Sequence, residues 1–108
     1  MKGIRYLAPL LFLFSYTANA AWFDCTPVEA MSFNSRVHIR CANSIAGIYY
    51  FAMPTSNAEL ADRFLSTSTT ALVSGRSAVI LYNPNDTSGA AWGCATSDCR
   101  RAQAIGIR

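Results

Sequence analysis

The sequence predicts a small, mainly β domain with one central α-helix, stapled by disulfide bonds. Three observations support this fold class. Short segments of alternating or branched apolar residues recur along the chain, a single capped helical pattern interrupts them, and residues 21–108 contain four cysteines. A domain of this size lies near the limit at which a hydrophobic core is sufficient by itself, so that disulfides or oligomerisation add needed stability.

Residues 1–20 have the pattern of a secretory signal peptide. Two cations, Lys2 and Arg5, precede an apolar run (LAPLLFLFSY), and the small-x-small sequence ANA ends at Ala20. The apolar run is about half of the roughly 20 residues that a membrane span needs, and a membrane anchor is the alternative interpretation. The sequence therefore predicts cleavage after Ala20, no membrane span, and export of a single domain formed by residues 21–108.

The net charge of the exported part is small, and all of its positive charge is carried by arginine. After residue 20 the chain has seven arginines, six acidic residues and no lysine. A net charge this close to zero does not favour nucleic-acid or membrane-surface binding through bulk charge. The planar fork of arginine suits carboxylates and phosphates, which permits recognition of anions or sugar acids. Compositional bias is the alternative explanation.

The first half of the domain predicts a strand hairpin. Residues 21–34 lack a clear period and are interpreted as a lead-in strand or loop. Residues 35–42 (SRVHIRCA) alternate apolar and polar side chains, which predicts a half-buried strand with His38 on its polar face. An Asn-Ser turn follows, and residues 45–53 (IAGIYYFAM) are predicted to form the second strand, which Pro54 ends.

A helix is predicted next. Ser56 and Glu59 have the spacing of a capping box, in which each side chain satisfies a backbone N–H of the first turn. The helix is predicted to end near Ser74, with Gly75 as its C-terminal cap. The stretch STSTT places a polar face beside the apolar one. The predicted apolar face comprises Leu60, Ala61, Phe64, Leu65 and Leu72.

The remaining elements complete the predicted fold. Residues 77–83 (SAVILYN) form a strand rich in branched side chains, residues 84–89 (PNDTSG) form a turn, and residues 101–108 (RAQAIGIR) alternate as a closing strand. Five or six short strands with one helix suit a small closed or partly open barrel of the OB type. A sheet with one packed helix is the alternative.

Four cysteines in a short exported chain predict two disulfides. The spacing Cys94-x4-Cys99 is compatible with half of a zinc site, but Cys25 and Cys41 are far apart and His38 is the only histidine. A thioredoxin-like redox pair needs two intervening residues instead of four. Four cysteines allow three pairings; the short loop favours Cys94–Cys99, which leaves Cys25–Cys41. No metal site or cofactor is predicted.

No constellation of catalytic residues stands out, and the chain is predicted not to be an enzyme. His38 has no nucleophile at a matching spacing, and it is interpreted as a surface or rim histidine. Glu59 and Asp62 complement the dipole of the helix N-terminus. A small secreted hydrolase or nuclease that uses His38 is an alternative. Most of the many aromatic side chains are expected in the core, and some are candidates for stacking on a sugar.

The order of motifs resembles a known family of toxin subunits. A mature start with Trp22 is followed by FNSRVHI at the first strand, by ALVSGRSAVILY across the helix end and next strand, and by GCATSDC near the C-terminus. This order resembles the B subunits of the subtilase cytotoxin and typhoid toxin group. The resemblance implies an exported OB-fold homopentamer that binds host sialylated glycans, acts in virulence and accompanies a toxic A subunit. It also implies that the helices line a central pore, for which the STSTT face is suited.

The resemblance also implies a glycan site. The position that matches the family's glycan-binding serine is Ser35, and Phe33 would pack against the sugar. Beyond the family pattern, Arg36 or Arg76 is a candidate to bind the sugar carboxylate through a bidentate pair. The alternative to a glycan-binding subunit is a small periplasmic or secreted inhibitor or protein-binding module without sugar binding.

Overall fold

The computed structural model describes residues 20–108, so that the predicted signal peptide lies outside the described residues except for Ala20. The described chain has six strands, one α-helix and one 3-10 helix. The strands are β1 (Ala21–Cys25), β2 (Pro27–Ser32), β3 (Arg36–Ile45), β4 (Ile48–Pro54), β5 (Ala78–Tyr82) and β6 (Cys99–Ile107). The helix α1 spans Ala58–Ser74, and the 3-10 helix spans Ser88–Trp92.

All six strands form one sheet in the order β1-β5-β6-β4-β3-β2. Neighbouring strands are antiparallel except β4 and β6, which run parallel. The predicted fold class, mainly β with one helix and disulfides, is confirmed. The sheet is not closed into a barrel, because β1 and β2 lie at its two edges. Although these edge strands are consecutive in the chain, they do not pair with each other, so the likeness to an OB barrel is loose.

The core lies between the sheet and α1. The largest fully buried apolar side chains include Phe51 on β4, Phe64 on α1, Ile39 on β3 and Ile80 on β5. The Phe51 ring lies 5.5 Å from that of Phe23 and 5.1 Å from that of Tyr82, measured between centroids. Burying each such side chain contributes about 1.5–3 kcal/mol, which holds the helix against the sheet.

The buried stripe of α1 differs in part from the predicted one. Ala61, Phe64, Ser68 and Ala71 are the buried residues, spaced three or four apart as one helix face requires. Ser68 belongs to the stretch that was predicted to form a wet face, yet it is fully buried. Its hydroxyl donates to the Phe64 carbonyl at 2.8 Å, which satisfies the polar group without water.

The helix begins one residue later than predicted. Asn57 is the N-cap, and its side-chain oxygen accepts the Leu60 N–H at 3.2 Å. The predicted capping box of Ser56 and Glu59 is therefore wrong. Glu59 instead accepts from Arg63 at 3.1 Å, one turn along the helix. The predicted C-cap, Gly75, is confirmed, with φ of 70° in the left-handed region.

The first hairpin turns later than predicted, at Ala46 and Gly47. Both have positive φ, 52° and 81°, which is the pattern of a type I′ turn. Asn43, which was predicted to lie in the turn, instead hydrogen-bonds the backbone between β1 and β2. Its side-chain oxygen accepts the Thr26 N–H at 2.9 Å, and its amide donates to the Asp24 carbonyl at 2.7 Å. It thereby fixes the bend between β1 and β2.

Both predicted disulfides are confirmed. Cys25–Cys41 joins the end of β1 to β3, and Cys94–Cys99 closes the loop that leads into β6. All four sulfurs belong to residues that are nearly inaccessible to solvent. No cysteine among residues 20–108 is free. The first bond ties edge strand β1 to β3, which lies beside the other edge strand, and the second shapes a loop beside β4.

A candidate binding cleft

A small cleft opens between the start of β3, the strand β4 and the loop before β6. Its volume is about 200 Å³. Its walls combine a guanidinium, an imidazole, a phenol and a carboxylate, which is a dense set of polar groups for so small a space. The lining residues include Arg36, His38, Tyr50, Gly93, Asp98 and Cys99.

The loop wall of the cleft is fixed to β4 by backbone hydrogen bonds. The carbonyl of Asp98 accepts the N–H groups of Tyr49 and Tyr50, both at 3.0 Å. Within the loop, the Cys99 N–H donates to the Ala95 carbonyl at 2.9 Å, in addition to the disulfide. Since the covalent and hydrogen bonds act on a loop of few residues, this wall is rigid.

Ser35 holds the other end of the loop. Its hydroxyl donates to the Trp92 carbonyl at 3.0 Å. The sequence predicted Ser35 as a sugar ligand, and the structure gives its proton a partner within the protein. The hydroxyl oxygen still has lone pairs with which to accept a hydrogen bond.

Gly93 leaves the space that the Arg36 side chain occupies. Its φ is 103°, a value that disfavours other residues. A Cβ at this position would also overlap the Arg36 guanidinium. The glycine in GCATSDC is thus required for two reasons, the backbone conformation and the close approach of an arginine.

Arg36 lies over an aromatic face. Its guanidinium carbon is 4.2 Å from the centroid of the Phe33 ring, within the range of a cation–π interaction. The Phe33 N–H donates to the Arg36 carbonyl at 2.7 Å, which brings the two residues together at the start of β3. Among residues 20–108 the ion pairs are His38–Glu29, Arg63–Glu59 and Arg108–Asp24. Within this part of the chain Arg36 therefore has no carboxylate partner.

His38 is buried, in contrast to the predicted surface or rim position. Only 6% of it is exposed. Its Nε2 lies 2.9 Å from Oε1 of Glu29 on β2. Its ring also lies 5.3 Å from the Phe33 ring and 5.0 Å from the Tyr50 ring, between centroids. The alternation along β3 correctly predicted that His38 lies on the face opposite the core. On that face, however, Glu29, Phe33 and Tyr50 cover its ring.

The structure brings three of the four sequence-predicted site residues together. Phe33, Ser35 and Arg36 all lie at the start of β3 beside the cleft. Arg76 does not: its Nε donates to the Arg108 carbonyl at 3.2 Å. The cleft adjoins Cys99 at the start of β6, whereas Arg108 follows the end of that strand. At the rise of an extended chain, roughly 25–30 Å separates the two ends.

Sequence reasoning missed several residues of the cleft. Tyr50 carried no motif, and Gly93 and Asp98 lie in GCATSDC, which was interpreted only as a disulfide loop. The parallel pairing of β4 with β6, with Tyr50 opposite Cys99, places the loop beside the hairpin. Glu29 was missed as well, since a register shift between Pro27 and Glu29 alters the pairing of β2 with β3.

The approach to the loop is ordered by Asp86, which precedes the 3-10 helix. Its Oδ1 accepts the Ser88 N–H at 3.0 Å. Hydrogen bonds from the Ser88 side chain and backbone lower the pKa of the Asp86 carboxyl below its ordinary value, with Arg101 and Arg100 adding a smaller effect. Arg100 in turn donates to the carbonyls of Pro84 and Thr96, both at 2.7 Å, and joins this turn to the cysteine loop.

The cleft has the chemistry of a binding site for a small polar ligand. It offers the donors of Arg36, the acceptors of Asp98 and the aromatic ring of Tyr50, while Phe33 lies against Arg36. Among residues 20–108 no cluster of three or more His, Cys, Asp or Glu side chains is arranged to hold a metal ion. In the same range no helix has the length and apolarity that a membrane crossing demands.

No family model matches this chain, and comparison with curated proteins and with solved structures finds no similar protein. The interpretation of the cleft therefore depends on its geometry and chemistry.

Proposed function

We propose that this protein is an exported carbohydrate-binding protein whose cleft takes a terminal acidic sugar of the sialic-acid type. The observation that carries the proposal is the position of Arg36. Its guanidinium is held on Phe33, borders the cleft and has no carboxylate partner among residues 20–108. A guanidinium in this state binds a ligand carboxylate through two parallel hydrogen bonds.

The other groups of the cleft suit the rest of a sugar ring. Asp98 accepts hydrogen bonds from hydroxyls, and the ring of Tyr50 offers an apolar edge. Ser35, beside the cleft, has an oxygen that is able to accept a further hydrogen bond. The volume of about 200 Å³ is below the roughly 300–1,000 Å³ of pockets for drug-sized ligands. The cleft is therefore sized for one terminal sugar and not for a long chain. The motifs that resemble the toxin B subunits point to the same class of ligand.

Export is part of the proposal. The two disulfides fit an oxidising compartment such as the periplasm or the cell exterior. The N-terminal pattern that ends at Ala20 supplies a route to that compartment. Secretion after cleavage there is tested by N-terminal sequencing of the exported protein, with Ala21 as the expected first residue.

A homopentameric ring that accompanies an A subunit is the proposed assembly. The two most exposed large apolar side chains among residues 20–108 are Val73, at 77%, and Trp22, at 61%. Burial of such side chains between subunits would add the apolar area that a small domain lacks. The exposed Ser66, Thr69 and Thr70 of α1 suit a water-filled pore. Light scattering on the oxidised protein tests this assembly; a monomer at micromolar concentration would overturn it and leave the cleft unaffected.

One observation favours the second candidate, a protein-binding module or inhibitor. Trp22 borders an open groove of about 470 Å³ together with Val79, Ile105 and Ile107. Exposed tryptophans are frequent anchors of protein interfaces. A Trp22→Ala variant separates the candidates, because it is expected to retain glycan binding and to lose binding of a protein target.

The test of glycan binding compares sialyllactose with lactose by titration calorimetry, after a glycan array has identified the preferred sugar. Arg36→Ala is expected to bind sialyllactose at least about 10-fold more weakly, since a charged hydrogen-bond pair contributes about 1.5–3 kcal/mol. Arg63→Ala, which removes an exposed arginine of α1 that does not line the cleft, is the matched control. Arg76→Ala is the second control. Equal affinity of wild type for sialyllactose and lactose would refute the proposal.

A further inference from the structure

The hydrogen bond between His38 and Glu29 determines where the proton of the neutral imidazole lies. An ionised carboxylate only accepts hydrogen bonds, so that Nε2 of His38 must donate to Oε1 of Glu29 across their 2.9 Å separation. A neutral imidazole carries one proton. Its Nδ1 is then unprotonated and able to accept a hydrogen bond, and Glu29 sets this tautomer.

The free nitrogen of His38 is accessible. Within residues 20–108 the side-chain hydrogen bond of His38 is the one through Nε2. No buried side-chain nitrogen or oxygen in the described chain lacks a partner, so that Nδ1 is in contact with solvent. His38 lines the cleft and is 6% exposed, which fits an Nδ1 that faces the cleft.

The orientation of this nitrogen is fixed from three sides. Phe33 and Tyr50 hold the imidazole between their rings, with centroids 5.3 Å and 5.0 Å away, and Glu29 holds its far edge. A group immobilised in this way contributes to binding without a further loss of conformational entropy. Phe33 also supports Arg36, so the acceptor and the cationic donor share one support.

We propose that His38 is a specificity-determining residue that accepts a hydrogen bond at Nδ1 from a hydroxyl of the bound sugar, while Arg36 binds its carboxylate. Glu29 is then a positioning residue, which acts by holding the tautomer. The ligand class narrows accordingly to hydroxy-acid sugars that carry a hydroxyl donor within reach of the carboxylate. A simple carboxylate would bind Arg36 but would offer no hydroxyl to His38. The inference rests on the proposed function.

The first test is ¹⁵N NMR of the oxidised protein. The chain contains a single histidine, so that its two ring nitrogens are assigned without ambiguity. The expected spectrum of the neutral form shows a protonated Nε2 and an unprotonated Nδ1, and methyl α-sialoside is expected to shift the Nδ1 resonance. A proton on Nδ1 in the free protein would overturn the inference even if the sugar binds.

The second test combines a variant with altered ligands. In His38→Gln the amide nitrogen takes the place of Nε2 and still donates to Glu29, whereas no acceptor atom stands at the position of Nδ1. The probes are methyl α-sialoside and its mono-deoxy analogues, each lacking one hydroxyl. One deoxy analogue is expected to bind the wild type about 5- to 10-fold more weakly than the parent sugar, and to bind wild type and His38→Gln equally. Circular dichroism and thermal unfolding establish that the variant is folded.

Glu29→Gln is the second variant. It preserves shape but offers His38 both a donor and an acceptor, so both tautomers are expected in the spectrum together with weaker binding of the parent sugar. If sialoside binding depends on Arg36 but is unchanged in both variants, the role of His38 is refuted and the proposed function stands. If the wild type binds no acidic sugar, the proposed function fails first, and the role of His38 in ligand selection fails with it.

Discussion

The guanidinium carbon of Arg36 lies 4.2 Å from the centroid of the Phe33 ring, and the same ring packs against His38. One aromatic side chain thus supports both the cation and the imidazole of the cleft. Phe33 is itself 39% exposed, so that its contribution is to orient its neighbours and to offer its remaining surface to a ligand.

Replacement of Phe33 by leucine is expected to weaken binding of methyl α-sialoside about 2- to 5-fold, because an exposed cation–π contact contributes about 0.5–1 kcal/mol to the position of Arg36. Titration calorimetry measures the change. Phe33→Tyr keeps the aromatic face and is expected to bind as the wild type does. A leucine variant with unchanged affinity would show that the ring does not orient Arg36.

Gly93→Ala is expected to abolish measurable sugar binding. A Cβ there overlaps the guanidinium of Arg36, and the φ of 103° adds backbone strain. Gly106→Ala is the matched control, since a Cβ at that position meets nothing within 4 Å and its φ is ordinary. Calorimetry and urea unfolding of both variants separate loss of the site from loss of stability. Binding in Gly93→Ala at wild-type strength would contradict the described position of Arg36.

The two disulfides are expected to differ in their effect on stability. Their sequence separations are 16 residues for Cys25–Cys41 and 5 for Cys94–Cys99. The loop-entropy relation gives losses of about 3 and about 2 kcal/mol respectively when each pair is replaced by serine. Urea unfolding measures both. Sugar binding is expected to weaken more in the Cys94/Cys99 variant, because that loop is a wall of the cleft; the opposite order would argue against this cleft as the site.

The turn between β3 and β4 yields a pair of substitutions with opposite signs. Ala46→Asn is expected to raise the free energy of unfolding by about 0.5–1 kcal/mol, because asparagine tolerates the left-handed region that Ala46 occupies at φ 52°. Gly47→Ala is expected to lower it by about 1–2 kcal/mol through backbone strain alone, since a Cβ there meets no atom within 4 Å. Urea unfolding tests both, and a destabilised Ala46→Asn would exclude the type I′ turn.

Tyr82 is expected to make stability fall on the alkaline side. Burial raises the pKa of its phenol above the ordinary 10.0, an effect that Arg100 offsets in part. The folded state therefore holds this proton more tightly than the unfolded state. The stabilisation is fully present below pH of about 10 and is lost as pH rises through the higher pKa of the folded state.

Comparison of wild type with Tyr82→Phe by urea unfolding between pH 8 and 11 isolates this effect. The variant is expected to lose less stability over that interval, while other tyrosines titrate equally in both proteins. Parallel curves would show that the phenol of Tyr82 is not perturbed by burial.

Local signals predicted the elements well where one interaction dominates. Gly75 ends the helix because only glycine adopts its backbone conformation without strain, and this was evident from position alone. The helix start failed by one residue because Ser56 and Asn57 both suit an N-cap, and the backbone of the preceding turn decides between them. Likewise, the residue type of Asn43 favours a turn, but its side chain is hydrogen-bonded to the backbone of Thr26 and Asp24 instead.

The sequence by itself determined the order of strands and helix from residue 35 onward, the alternating and branched core positions, and the disulfide between the neighbouring Cys94 and Cys99. These are set by interactions within a few residues. The sequence did not show that residues 21–34, interpreted as a lead-in strand or loop, contain the two strands β1 and β2. Only the tertiary structure decided which side chains share a cleft. Tyr50 and Cys99 meet because β4 and β6 pair in parallel, and His38 is buried because Phe33, Tyr50 and Glu29 converge on it. Such contacts depend on non-local strand pairing, whose free energy no local sequence pattern records.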